Sequence, residues 1–233
     1  MKTIIEQRED LAKLIDELGL KTGAELGVNL GKFSEFLLGS SKLEKLYSID
    51  AWQTDESSTK AVFKQRAAVV LNKCYEEAKQ RLSKYGERSR IIKKTTFDAV
   101  KDFEDNSLDF VYIDASHRFS GVALDLIQWY PKVRPGGIFA GHDYWSCYRC
   151  EVMDAVNGFF VENKQILRIT TKGLNAIGNV FYPPTWWCIK QNLTKKEYNQ
   201  QLKEAIKILT AQKRYLEEQN GVKITLPYQY SEV

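Results

Sequence analysis

A chain of 233 residues with 43% hydrophobic side chains can bury one sizeable core, and α/β chains of this length commonly form a single domain. Its 34 basic residues exceed the 30 acidic ones by four and are dispersed, which argues against a dedicated nucleic-acid surface and leaves a mild pull on anionic ligands. No apolar run approaches the roughly 20 residues that span a bilayer, and the N-terminal MKTIIEQREDLAKLID mixes charge with apolar residues, so a cytoplasmic chain with no membrane partner is expected.

Residues 3–19 space Ile4, Ile5, Leu11, Leu14, Ile15 and Leu18 near the helical repeat and stop at Gly19, predicting an amphipathic helix. TGAELGV (22–28) followed by KFSEFLLGS reads as strand, loop and helix, and LEKLYSID (43–50) as a second strand ending in an acid. A long polar helix over 60–85 leads to a third strand, RIIKKTT (90–96), and a short helix, DAVKDFE. SLDFVYID (107–114) is a fourth strand, FSGVALDLIQWYPKV (119–133) a helix and GGIFAGHD (136–143) a fifth strand. Helix 151–163 and strands ILRITT (166–171) and TWWCIK (185–190) follow. In the region 193–220, Tyr198, Leu202, Ile206, Leu209 and Leu216 line one helix face, which packs on its own domain or on a second copy as a homodimer contact. This alternation fits a Rossmann-like three-layer α/β sandwich: a mostly parallel sheet with helices on both faces. We take 1–233 as one domain around a core at 20–190.

In such a sheet ligands bind outside the carboxyl ends of the strands. The first loop, AELGVNLGKFS, carries Glu25 inside the strand, Gly27 for a tight turn and Gly31 where the helix opens. A dinucleotide loop wants GxGxxG, whereas ExGxxxG stands here, and the phosphate-binding reading weakens accordingly. Asp50, at the end of strand two, is placed to accept from a ribose diol. Strands four and five would deliver Asp114, His142 and Asp143 to one mouth, a grouping that suits a cation or a proton-transfer site.

The series ELGVNLG, YSID, DFVYIDASH and GGIFAGHDY resembles the motifs of class I S-adenosylmethionine-dependent methyltransferases, in the small O-methyltransferase-like branch of catechol and macrocin type. The resemblance spans roughly residues 20–190 in order and spacing. It implies a seven-stranded sheet whose last two strands form an antiparallel hairpin, with S-adenosylmethionine as cofactor. Glu25, Gly27, Asn29 and Gly31 would surround its methionine part, Asp50 would hold the ribose, Ala51 and Trp52 would border it, and Thr96 with Phe97 would border the adenine. In the metal-dependent members an acid after strand four and a pair after strand five hold a divalent ion, with a base three residues past the first acid. Those positions are Asp114, His142, Asp143 and His117 here.

His142 departs from that pattern, which has a carboxylate: magnesium prefers oxygen ligands, while imidazole suits manganese, iron or zinc. His142 and Asp143 could instead work as an acid or base pair with no ion. For His117 the readings are a helix-start cap or the base that takes a hydroxyl proton. Trp52 either borders the cofactor or packs under the loop.

The acceptor is expected to be a small molecule met by the loops at 51–62 and 144–150, where Tyr144, Trp145, Tyr148 and Arg149 offer an aromatic wall with one cation. Four cysteines are too few for a secreted disulfide framework; Cys147 and Cys150 read as ordinary thiols, a redox pair or half a zinc site. Rival functions are an RNA or protein methyltransferase of the same fold, a non-catalytic cofactor-binding module, and a nicotinamide-dependent dehydrogenase.

Overall fold

A computed structural model describes residues 4–53, 61–147, 150–170, 183–201, 203, 204, 207 and 210. Its strands are β1 (Thr22–Leu26), β2 (Lys45–Asp50), β3 (Ser89–Lys93), β4 (Leu108–Ile113), β5 (Val133–Gly141), β6 (Ser146–Cys147), β7 (Cys150–Glu151), β8 (Arg168–Ile169) and β9 (Trp186–Ile189). The helices are α1 (Leu11–Glu17), α2 (Lys32–Ser40), α3 (Ala61–Leu82), α4 (Thr96–Ala99), α5 (Phe119–Trp129) and α6 (Val152–Glu162). Seven strands form one sheet in the order β3-β2-β1-β4-β5-β9-β8. The first five are mutually parallel; β9 runs antiparallel to both β5 and β8. This is the mostly parallel sheet with an antiparallel last strand that the motif series implies.

Alternation along the strands builds two cores, one on each face. Val111 and Ile113 of β4 point into a cluster with Phe139 of β5 and Trp186 of β9, covered by Val122, Leu126 and Trp129 of α5 and Val156 and Phe160 of α6. Phe110 and Tyr112 point the other way, to meet Leu11, Leu14 and Ile15 of α1 and Phe33 and Leu37 of α2. Gly23 makes room for this second layer, since a Cβ there would lie 1.9 Å from the Phe110 ring. Strand order reverses beside β1, whose neighbours are β2 and β4, and this reversal opens the crevice in which ligands of such sheets sit.

Four element boundaries differ from the sequence expectation. Helix 119–133 ends at Trp129 because Pro131 enters a 3-10 turn, Tyr130–Lys132. The fifth strand then starts early, at Val133, and a register shift opposite Leu108 and Phe110 absorbs the Pro135-Gly136-Gly137 bulge. The third strand ends at Lys93, because the Thr95 hydroxyl accepts from the Asp98 amide at 3.0 Å and caps α4. At the N-terminus, α1 begins only at Leu11, after a 3-10 turn at Arg8–Asp10. Helical residues begin again at 195, and Tyr198 is buried. Leu202, Ile206, Leu209 and Leu216, on which the proposed helix contact depends, lie outside the described residues, as does the chain beyond 210. Among the described residues no helix is long and apolar enough to cross a membrane.

Candidate active site

The ends of β1, β2 and β4 and the start of α4 enclose a cleft of about 490 Å³. Its first wall is the loop after β1. Gly27 has φ +85°, and a Cβ there would fall 2.0 Å from the Asp114 carbonyl oxygen, so only glycine lets the β1 and β4 backbones meet this closely. Asn29 also has a left-handed backbone, at φ +49°. Its amide donates to Asp50 Oδ2 at 2.9 Å, while Asp50 Oδ1 accepts from the Trp52 amide at 2.7 Å. One carboxylate thus clamps two loops, with lone pairs left over for a ligand.

Gly27, Asn29, Asp50, Ala51 and Thr96 line this cleft, together with Thr95, which the sequence reading missed. Gly31, with φ +73°, starts α2 instead, where an added Cβ would lie 3.3 Å from Ala78. Trp52 is buried under the loop against Val28 and Ala78, its indole donating to the Asn29 carbonyl at 2.8 Å. Its φ of +43° is costly for so bulky a side chain, and such strain gathers where surrounding structure enforces it. Phe97 lies on α4 with its ring half exposed under Lys101.

Glu25 sits below the cleft floor, 2% exposed. Burial pushes its carboxyl up to about 8 against the opposing hydrogen bond from Ser34, with Asp114 adding to the rise. The group is therefore a neutral acid near pH 7. Ser34 in turn lies 2.7 Å from the Ser48 hydroxyl, so the buried oxygens form a chain from α2 to β2.

The far wall is charged. Asp114, Ala115 and His117 line the cleft after β4, and His117 Nε2 reaches Asp143 Oδ2 at 2.8 Å and Asp114 Oδ1 at 4.0 Å. His142 Nδ1 flanks the same acids, 3.0 Å from Asp143 Oδ1 and 3.9 Å from Asp114 Oδ2. Asp114 and Asp143 together push the His117 imidazole up to about 10; the shorter contact, to Asp143, is the hydrogen bond. Burial alone would raise Asp143, but hydrogen bonds from His117 and His142 outweigh it and hold its carboxyl well below the usual range. An imidazolium at neutral pH donates protons and cannot accept them. Among the described residues, Asp114, His117 and Asp143 bring ligand atoms within 4.8 Å of one another, a set of two carboxylates and an imidazole that suits a divalent cation.

Neighbouring elements hold this wall. The His117 carbonyl accepts from the Glu151 amide at 2.8 Å, and the Glu151 carboxylate accepts from the Phe119 amide at 2.9 Å, tying β7 to the start of α5. Asp143 itself has φ +53°. Arg8 reaches Asp114 from the N-terminal turn, Nη1 to Oδ2 at 3.8 Å, a link with no local sequence signal. Tyr144 does not belong to an aromatic substrate wall: it is 5% exposed, and its hydroxyl donates to Asn157 at 2.7 Å in the core below α6. Trp145 remains partly exposed, while Tyr148 and Arg149 lie outside the described residues. Cys147 and Cys150 face each other across the β6–β7 pair as free thiols.

A family model described as a methyltransferase domain matches residues 24–144. A curated relative, the uncharacterized protein y4gI of Sinorhizobium fredii, is 25% identical over 124 residues, 53% of this chain; the chain spans 13% of that relative's length. Among solved structures, the O-methyltransferase from Bacillus cereus in complex with SAH is similar at TM-score 0.54 and 13% identity, covering 78% of this chain and 80% of that one. TomG, the O-methyltransferase from Streptomyces achromogenes involved in tomaymycin synthesis, in complex with SAM, matches at TM-score 0.52 and 13% identity, covering 79% of each chain. At such identities the likeness to the solved structures is one of fold.

Proposed function

The chain belongs to the methyltransferase-domain family, and from that premise we propose that it moves the sulfonium methyl of S-adenosylmethionine to an oxygen of a small molecule. The observation that carries this reading is the single crevice in which the Gly27–Asn29 loop and the Asp50 clamp face Asp114 and His117. Gly27 and Asn29 frame the methionine part, with Gly31 behind them opening α2 and Glu25 acting from beneath as a neutral acid. Asp50 takes the ribose diol with its unused lone pairs, Trp52 supports Ala51 at the ribose edge, and Thr96 with Phe97 borders the adenine. The O-methyltransferase structures of the same fold support an oxygen acceptor.

In the displacement an acceptor oxygen bonds to the methyl carbon as the carbon–sulfur bond breaks, leaving a neutral thioether, and the hydroxyl proton must go to a base. His117 is the nearest imidazole, but its pairing with Asp114 and Asp143 keeps it protonated. Asp114, Asp143 and an imidazole from His117 or His142 form the donor set for a divalent cation. A divalent cation held there would supply positive charge that favours loss of the acceptor hydroxyl's proton and weakens the hold of the carboxylates on the His117 proton.

Calorimetric titration with S-adenosylhomocysteine, followed by transfer of a labelled methyl from S-adenosylmethionine to a panel of hydroxylated small molecules with and without chelator, tests the reading. Binding of the nucleoside and chelator-sensitive methylation are expected. A folded chain that binds no S-adenosylhomocysteine would sink the proposal, and transfer indifferent to chelator would remove the cation from it.

A further inference from the structure

Arg8 precedes the span matched by the family model, yet its side chain ends 3.8 Å from Asp114, which lines the cleft. The turn that carries it is pinned by the buried Asp10 carboxylate, which accepts from the amides of Glu6 at 3.1 Å and Gln7 at 3.2 Å. The guanidinium lies over the Phe33 ring, 4.9 Å from its centroid, and Phe33 in turn packs on Tyr112 of β4 at 4.5 Å. Stacking of this kind holds the guanidinium plane in place. Nε donates to Glu9 at 3.2 Å, while Nη1 stops 3.8 Å from Asp114, close enough for attraction but too far for a hydrogen bond.

The amino-acid end of S-adenosylmethionine sets a charge problem in this cleft. Its sulfonium and ammonium suit the acids at Asp50 and Asp114, but its carboxylate would meet repulsion there unless a cation stood beside it. The basic side chains within 4.0 Å of the Asp114 carboxylate, among the described residues, are Arg8, His117 and His142. Both histidines hydrogen-bond to Asp143, leaving Arg8 as the cation whose Nη1 faces Asp114 without such a bond. We infer that Arg8 positions the cofactor by pairing with the carboxylate of its amino-acid end, so that the N-terminal turn completes a site the family motifs leave open on that side. The assignment rests on the cofactor reading above. A planar guanidinium matches a carboxylate with two parallel hydrogen bonds, which an ammonium cannot do.

The test compares S-adenosylhomocysteine with its decarboxylated analogue, which keeps the amine and lacks only the carboxylate, by calorimetry on the full chain, Arg8→Gln and Arg8→Lys. Arg8→Gln should weaken S-adenosylhomocysteine by about 10- to 100-fold and leave the analogue's affinity unchanged, with Arg8→Lys between. A merely structural role for Arg8 would weaken both ligands alike, and that outcome overturns the assignment, as does a native chain that binds both equally well. If the native chain binds S-adenosylhomocysteine and Arg8→Gln matches it, the cofactor reading stands and the arginine assignment alone falls. A native chain that binds neither nucleoside removes the cofactor reading and this inference together.

Discussion

At the ends of β1 and β2 the cleft is held by backbone: left-handed residues at Gly27 and Asn29, and one aspartate accepting two amides. At the ends of β4 and β5 it is held by charge, with His117 and His142 shared between Asp114 and Asp143. The first wall has one arrangement, set by backbone sterics and by hydrogen bonds to backbone amides. The second is a balance of ionisations that a ligand, a cation or a change of pH can redistribute. A binding surface gains from the first kind of construction, since rigidity cuts the cost of ordering. A proton-transfer centre needs the second, because its groups must change charge during turnover.

The largest expected effect breaks the rigid wall. Gly27→Ala would press a methyl against the Asp114 carbonyl and strain a left-handed backbone, a combined cost of roughly 3 kcal/mol or more. Urea unfolding should register that loss, and S-adenosylhomocysteine binding should vanish with it. An alanine variant of native stability and affinity would mean that the wall is softer than its geometry indicates.

His117→Ala addresses the opposite wall and should separate the two functions. If His117 takes the proton, turnover falls by roughly 10²–10⁴ while affinity for S-adenosylhomocysteine stays within about threefold. Equal losses in both would deny the division between a binding wall and a reacting wall. Unchanged turnover with a verified acceptor would remove His117 from the chemistry.

The comparison also separates what could be read from the sequence from what could not. Gly27, Asp50, Asp114 and Asp143 were legible because each stands at a strand end, where a short apolar run stops at a glycine or an acid, and sheet topology alone carries such residues to one crevice. Arg8 was not, because its place depends on how α1 and its preceding turn pack across α2, a tertiary contact with no local pattern. Tyr144 was misread because an aromatic after a strand end looks the same whether it turns to the mouth or, as here, down to Asn157. Thr95 was absorbed into a β-branched run that reads as strand, although its hydroxyl caps a helix. The neutral state of Glu25 and the charged state of His117 follow from burial and neighbours, neither of which residue order records.

Glu25 offers a smaller effect that sharpens the contrast from below the rigid wall. Its folded value, about 8, lies above the ordinary 4.5, so the folded state holds a proton that the unfolded chain gives up. The stability this contributes is fully present below 4.5 and is lost as pH rises through about 8. Glu25→Gln, which keeps an acceptor for Ser34 and cannot ionise, should match the native protein in mild acid and exceed its melting temperature above pH 8. Parallel melting curves across that range would mean that Glu25 is not held neutral.

The ion pair between His117 and Asp143 should give the smallest effect, because nearly half of the imidazole is exposed and solvent screens such a pair to about 0–1 kcal/mol. Its pH window is nonetheless well defined. His117 has a raised pKa, so its contribution is complete below the ordinary 6.5 and fades as pH rises through about 10; Asp143 has a lowered one, so its contribution holds above the ordinary 3.8 and fades as pH falls through its depressed value. A double-mutant cycle with His117→Ala and Asp143→Asn, read by urea unfolding, should therefore find favourable coupling at neutral pH and almost none well above pH 10. Coupling that persisted at high pH would identify the contact as a hydrogen bond of neutral imidazole, and the far wall would then be held by geometry, like the near one.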